Sequence, residues 1–246
     1  MGFFDYIRSF DIFSLLETHV VADKTKNFNK YFPNHEIYWI GRAIGGTLFG
    51  IKNSLKHSGL SCVVSEHGNF NIYKISIGNI SFSLLPLYIR GSNWRDEFLI
   101  VSNLFAVKNI FNPIIIGDLN IRIGELQQYV DEYIKNSFAA AFQLRKSKDS
   151  VVNSYGKEFL KFCDDYGLLI TNGCTVGDEL GEYTFVNSIG QSINDICAVS
   201  YELLGNISWF EVQKQIGSDH LPIVINIKYV RTAQDMVENK LLPKLR

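Results

Sequence analysis

The sequence predicts an α/β layered sandwich, and three observations carry that prediction. Short apolar runs rich in β-branched and aromatic residues recur along most of the chain, with turn residues between them. Only a few longer stretches show helical spacing, so helices are interspersed among many strands. Two of the runs adjoin polar clusters about a hundred residues apart: Gly117-Asp118-Leu119-Asn120 closes one, and Ser218-Asp219-His220 opens another. Two polar clusters at strand ends suggest one composite site.

Taken in order, the predicted strands are Ile12–Glu17, Glu36–Ile40, Thr47–Lys52, Cys62–Ser65, Asn71–Ile77, Ile80–Tyr88 and Ile114–Asp118. They continue as Leu168–Thr171, Tyr183–Val186, Ile193–Val199, Ile207–Val212 and Leu221–Tyr229. Two stretches read as helices. Asp96–Asn109 carries Phe98, Val101, Leu104 and Phe105 at helical spacing, with Ser92 or Asn93 near its start. Ser154–Tyr166 carries Phe159, Cys163 and Tyr166 on one face and stops at Gly167, a residue that ends helices well. Between Asp131 and Lys148, Tyr133 to Leu144 suits a helix and Arg145-Lys146-Ser147-Lys148 a basic loop. From Arg231 the pattern changes to a charged, helix-prone stretch, either a solvated tail or a linker, so the main domain is expected over 1–229 and the tail over 230–246.

Composition limits the possible partners. A chain of 246 residues accommodates one domain or two small ones. The formal net charge of −1 gives no global attraction to nucleic acid, so such a partner needs a local basic patch. Cys62, Cys163, Cys174 and Cys197 show no metal-binding spacing and read as reduced, half-buried thiols. The first residues lack the basic start, apolar stretch and cleavage site of a signal peptide. No apolar run is long enough to span a bilayer. The expectation is an intracellular protein with no membrane partner. His19, His35, His57 and His67 read as surface residues, and Arg42, Lys52 and Lys56 as solvated charge.

Taken together, the motifs resemble the endonuclease/exonuclease/phosphatase superfamily, and within it the apurinic-type endonuclease domain of non-LTR (LINE-like) retrotransposons. Glu17-Thr18 at a strand end, Gly45-Gly46 before an apolar run and Leu87-Tyr88-Ile89 each look like family segments. Gly117-Asp118-Leu119-Asn120 matches its GDxN motif and Ser218-Asp219-His220 its SDH motif. Tyr183-Thr184-Phe185 and Ser192-Ile193-Asn194-Asp195-Ile196 resemble two further segments between them. The order of GDxN before SDH, with Glu-Thr upstream, is the specific part of the resemblance.

The resemblance implies a four-layer αββα sandwich of two mainly antiparallel sheets. It implies Mg²⁺-dependent nicking of DNA, with Mn²⁺ as an alternative ion. The family's opening strand, with its Asn, has no counterpart, because Met1 falls inside the helix ahead of the Glu-Thr strand. The sandwich is therefore expected to lack its first strand. A reverse transcriptase domain in a longer parent polyprotein is the implied partner, and the nucleus the implied location if host DNA is cut.

Phosphodiester hydrolysis needs an activated water, neutralisation of phosphate charge and help for the leaving oxygen. A hard divalent ion held by a few oxygen ligands supplies much of this. By resemblance Glu17 is the first metal ligand and Asp219 a second. Asp118 orients or deprotonates the attacking water. Asn120, two residues on in an extended segment, holds that water or a phosphate oxygen. His220 donates to the phosphate, with Asp195 fixing its ring. Tyr88 offers a phosphate-side hydroxyl, and Thr184, Asn120 and Ser218 contact substrate. Read alone, Asp118 and Asn120 also describe a tight turn. Two other functions remain open: a phosphatase for small phosphate esters, and an inactive retroelement remnant that binds or does nothing.

Overall fold

The computed structural model describes residues 2–107, 110–126, 143–214 and 217–231. The chain divides into two compact units, residues 1–86 with 229–246, and residues 87–228.

The first unit contains α1 (Phe3–Ser9), β1 (Ile12–Leu16), α2 (Lys26–Asn29), β2 (His35–Ile40), β3 (Thr47–Lys52), α3 (Asn53–Lys56), β4 (Ser61–His67), β5 (Phe70–Ile77) and most of β6 (Ile80–Tyr88). β3 is the middle strand of a three-stranded antiparallel sheet, with β1 and β2 beside it. β4, β5 and β6 form an antiparallel meander. The two layers meet through aromatic rings: Phe49 of β3 stacks on Tyr73 of β5 at 3.6 Å, and Tyr38 of β2 meets the same tyrosine edge-on. Phe49 and Ile75 are completely buried. Burying one such side chain stabilises the fold by about 2 kcal/mol. Gly50 shows how close this packing is, because a Cβ there would sit 2.4 Å from the Phe13 ring.

The second unit contains α4 (Trp94–Val107), β7 (Pro113–Asp118), α5 (Ser154–Asp165), β8 (Leu168–Ile170), β9 (Phe185–Val186), β10 (Gln191–Ser192), β11 (Asp195–Ser200), β12 (Ile207–Val212) and β13 (Ile223–Ile227). β11 pairs antiparallel with β7 on one side and β8 on the other, and is buried along its whole length. α4 buries Trp94, Phe98, Val101 and Phe105, the spacing of one helix face. Phe98 and Phe105 both meet Phe162 of α5 edge-on. α5 begins where Asn153 accepts a hydrogen bond from the Gly156 amide, an N-cap, and ends before Gly167 at φ 62°. In strand order, the main sheets are β1-β3-β2 and β4-β5-β6-β7-β11-β8, with β9-β10 and β12-β13 as two-stranded pairs. The architecture is the α/β sandwich that the sequence predicts.

The predicted strands and both predicted helices recur with ends unchanged or shifted by one or two residues. Several expectations change. His35 is buried, its Nε2 against the Phe10 carbonyl at 3.1 Å and its ring edge-on to Phe13, because β2 begins earlier than the apolar run suggests. Cys163, Cys174 and Cys197 are fully buried thiols, and only Cys62 is half-buried. Arg145 is not a solvated loop residue: it is buried and donates to the Asn172 and Gly124 carbonyls. Arg42 binds the Gly68 carbonyl and Asn69, Lys52 pairs with Asp11, and Lys56 pairs with Glu36. The predicted helix over Tyr133–Leu144 and the tail beyond Arg231 lie outside the described residues, Gln143 and Leu144 excepted. Among the described residues no helix is long and apolar enough to cross a membrane.

Candidate active site

β7 and β11 run antiparallel with Asp118 opposite Asp195. Residues directly opposite in a sheet share a face, so two carboxylates emerge side by side where β7 ends and β11 begins. Like charges in that position repel. The group that answers them is His220, whose Nδ1 lies 3.1 and 3.0 Å from the two Asp195 oxygens. Its Nε2 lies 3.9 Å from Asp118 Oδ2. The imidazole is therefore bracketed by two carboxylates, one on each nitrogen. The carboxylates are nearly buried and the ring is one-third exposed. This bracket makes one imidazole nitrogen the anchor and turns the other towards Asp118.

Local hydrogen bonds hold each member. The Ser218 hydroxyl accepts from the His220 amide, and Leu221 N–H donates to the Thr184 carbonyl. Val186 N–H donates to the Asp219 carbonyl, so the Ser-Asp-His segment runs beside β9. The Phe185 ring meets the His220 ring edge-on at 4.9 Å. Thr184 is completely buried, and its hydroxyl accepts from the Asn194 and Asp195 amides at 3.1 and 3.0 Å. Asn172, also buried, donates to the Asp195 carbonyl and accepts from the Cys197 amide.

Asn120 departs from the extended geometry expected of it. Its φ is +52°, in the left-handed region that Asn tolerates better than most residues. That turn folds the residue back onto Asp118: its backbone amide donates to Asp118 Oδ1 at 3.0 Å and its Nδ2 to Oδ2 at 3.1 Å. The same Nδ2 donates to the Ile89 carbonyl. The tight turn and the site are thus the same feature, because the turn orients the carboxylate.

A third carboxylate supports the site. Asp149 is almost fully buried and binds Arg122 through Nε, at 2.7 Å, and Nη2. It also accepts from the Ile193 and Val151 amides. Burial alone would raise this carboxyl, but the Arg122 hydrogen bonds and the two amides outweigh it and hold it below the ordinary range. Arg122 is correspondingly raised, first by its hydrogen bond to Asp149. One buried carboxylate therefore joins the segment two residues beyond Asn120 to the segment two residues before Asp195. The Arg122 backbone is pinned as well, since Asn153 N–H donates to its carbonyl. Gly156 is required there: a Cβ would lie 2.2 Å from that carbonyl oxygen.

No protein-family model matches the sequence, and no curated protein does. Solved structures do match. The AP endonuclease LMAP from Leishmania major aligns with a TM-score of 0.63 at 14% identity, over 89% of this chain and 79% of that one. The endonuclease domain of TRAS1, a telomere-specific non-LTR retrotransposon, aligns with a TM-score of 0.61 at 15% identity, over 92% and 88%. The 3′-5′ exonuclease NExo from Neisseria meningitidis aligns with a TM-score of 0.59 at 14% identity, over 89% and 90%. This chain has the endonuclease/exonuclease/phosphatase fold.

On that fold, Asp118, Asn120, Asp195 and His220 come together, with Ser218 and Thr184 bonded to their backbone. Thr184 has no exposed surface for a substrate, and its hydroxyl holds the amide of Asp195 instead. Tyr88 is half-buried at the end of β6, one residue before Ile89, whose amide donates to the Asp118 carbonyl. Asp219 is exposed. Glu17 belongs to the first unit, just after β1, with φ +51°. A left-handed backbone at a non-glycine residue is a local strain that clusters at functional sites.

Among the described residues, Asp118, Asp195 and His220 form a group that would fit around a metal ion, their ligand atoms all within 4.8 Å. Asp195 and the imidazole already bind each other, which leaves Asp118 as the oxygen donor of the group best placed for a hard ion. Few protein oxygens and several waters suit Mg²⁺. The sequence reading missed Arg122, Asp149 and Asn172. Arg122 sits two residues beyond GDxN and was within reach of a motif reading, whereas Asp149 and Asn172 act only through tertiary contacts.

Proposed function

We propose that this chain hydrolyses phosphodiester bonds in DNA with the help of a divalent ion, Mg²⁺ first and Mn²⁺ second. The observation that carries this reading is the imidazole of His220 bracketed by Asp195 and Asp118. Solved structures of this fold include a 3′-5′ exonuclease, also solved as a 3′ phosphatase bound to a product DNA hairpin, AP endonucleases and a retrotransposon endonuclease, which supports DNA as the substrate. The motif order favours the retrotransposon type. A reverse transcriptase domain in a longer parent and a nuclear site of action belong to the same reading.

In this reading a water attacks phosphorus and the P–O3′ bond breaks; the departing O3′ takes a proton from solvent, leaving a 3′-hydroxyl and a 5′-phosphate. Asp118, oriented by Asn120, takes the proton of the water. His220, anchored by Asp195, donates from Nε2 to a phosphoryl oxygen as charge develops. Asp118 and Asp219 are the residues that would hold a divalent ion, with Glu17 of the first unit the further proposed ligand, and the ion would supply neutralisation of phosphate charge. Tyr88 contributes a hydroxyl on the phosphate side.

The test is nicking of supercoiled plasmid by the purified chain with Mg²⁺, with Mn²⁺ and with EDTA. Nicking that requires the ion and disappears in His220→Ala and Asp118→Ala is the expected result. A folded, monodisperse chain that nicks nothing with either ion would mark an inactive remnant and overturn the proposal.

A further inference from the structure

Beside the His220 site lies a cleft of about 270 Å³, lined by Arg122, Phe185, Ile189, Gln191 and Ser192 among others. Phe185 is shared, since its ring also packs on the His220 ring. The cleft therefore opens next to the reacting position. Its one cation among these lining residues is Arg122, whose side chain is one-third exposed.

The way Arg122 is held matters more than its presence. Asp149 takes the Nε and Nη2 side of the guanidinium, and the bond is a fork-to-carboxylate pair with fixed geometry. Such a pair would normally cancel the charge of the arginine. Here the carboxylate is buried and also accepts two backbone amides, Ile193 and Val151, so its negative charge is shared among three partners. The Nη1 side of the planar group is not engaged by Asp149, and the exposed part of the side chain borders the cleft. A guanidinium clamped on one edge loses little conformational freedom when its other edge binds an oxyanion. The exposed Gln191 and Ile189 and the half-buried Asn187, whose Oδ1 accepts from the Ile189 and Gly190 amides, line the rest of the opening, a surface suited to a nucleotide more than to a second metal ion.

We propose that Arg122 forms a second anion subsite that takes a backbone phosphate flanking the scissile one, so that the site selects a polynucleotide over a small phosphate ester. This rests on the phosphodiesterase reading above and supplies what the net charge of the chain does not, a local point of attraction for a polyanion.

The experiment compares kcat/KM of the full chain on a 20-base-pair duplex and on bis(4-nitrophenyl) phosphate, which has no flanking phosphate. Arg122→Gln is expected to lose about tenfold more on the duplex than on the small ester, as for one charged hydrogen bond. The salt dependence of duplex binding, read by fluorescence anisotropy, should fall in slope by about one. Gln191→Glu, at the exposed residue of β10, leaves the Asp149 pair intact and adds a negative charge to the cleft. It is expected to raise KM for the duplex several-fold more than KM for the ester. Equal losses on both substrates in Arg122→Gln would make the arginine a structural partner of Asp149 and overturn the proposal. If Arg122→Gln does not fold, Gln191→Glu decides, and equal effects on the two substrates overturn it. If the wild-type chain cleaves neither substrate, the phosphodiesterase reading fails. Anisotropy then judges the subsite separately: weaker duplex binding by Arg122→Gln supports it, and equal affinity or no binding by wild type overturns it.

Discussion

The strands β7 and β11 have two ends, and the ends differ in how their polar groups are treated. At one end, Asp118 and Asp195 face each other and the buried polar groups around them are bonded: Thr184 to two amides, Asn172 to the β11 backbone, Asp149 to Arg122. At the other end, where β7 begins at Pro113 and β11 finishes at Ser200, a cavity of about 280 Å³ is lined by Phe105, Phe111, Tyr166 and Glu202. The Ser200 hydroxyl is buried there without a hydrogen-bond partner among the described residues. The same two strands thus carry an organised polar network at one end and a loosely filled aromatic margin at the other. Organisation of polar groups, rather than a cavity alone, marks the end that carries the candidate site, because only fixed donors and acceptors stabilise charge without reorganising.

The comparison breaks most sharply at the bracketed imidazole. His220→Ala, or Asp195→Asn, is expected to lower nicking about a thousandfold. Circular dichroism and thermal melting should show a folded chain, since the ring is one-third exposed. Loss of fold in both variants would mean that the network is structural.

Next in size is the buried carboxylate. Asp149→Ala leaves a guanidinium and two amides without their acceptor, and urea unfolding should show a loss of about 3 kcal/mol. Nicking should fall with it. The same carboxyl sets an acid limit. Its pKa is depressed in the folded state, so the stability it contributes is present above the unfolded value of about 4 and is lost as pH falls through the lower folded value. Asp149→Asn should flatten that limb of the stability-against-pH curve, and an unchanged limb would assign it to other carboxylates.

Thr184→Val tests the buried hydroxyl with little change of volume. Two amides lose their acceptor, and a cost of about 2 kcal/mol is expected in the same unfolding measurement. The smallest effect belongs to the opposite end. Ser200→Ala removes an orphan buried hydroxyl and should raise stability by up to about 1 kcal/mol with nicking unchanged. A fall in nicking there would erase the distinction between the two ends.

Much of this was legible in the sequence because strands write themselves as apolar runs of period two, and both motifs sit where such runs stop. Thr47–Lys52, Ile80–Tyr88 and Ile207–Val212 have the predicted bounds. The two-residue strand β10 was missed, since two residues carry no periodicity. His35 read as a surface residue because nothing local signals that α1 ends against it through the Phe10 carbonyl. Asn120 was placed in an extended segment, and the side-chain bonds to Asp118 that favour a left-handed turn changed its direction. Asp149 was invisible for a different reason: its partners Arg122 and Ile193 are 27 and 44 residues away.

The register of β7 against β11 has an evolutionary corollary. Opposed residues share a face only while the count along each strand holds, so one inserted or deleted residue in either strand would turn Asp118 or Asp195 to the wrong side. Lineages of this chain should therefore accept substitutions in these strands but no change of length. The Asn187–Gly190 tip between β9 and β10 is under no such arithmetic, and its exposed Ile189 marks where descendants are able to lengthen or shorten the chain while Asp118 and Asp195 stay in step.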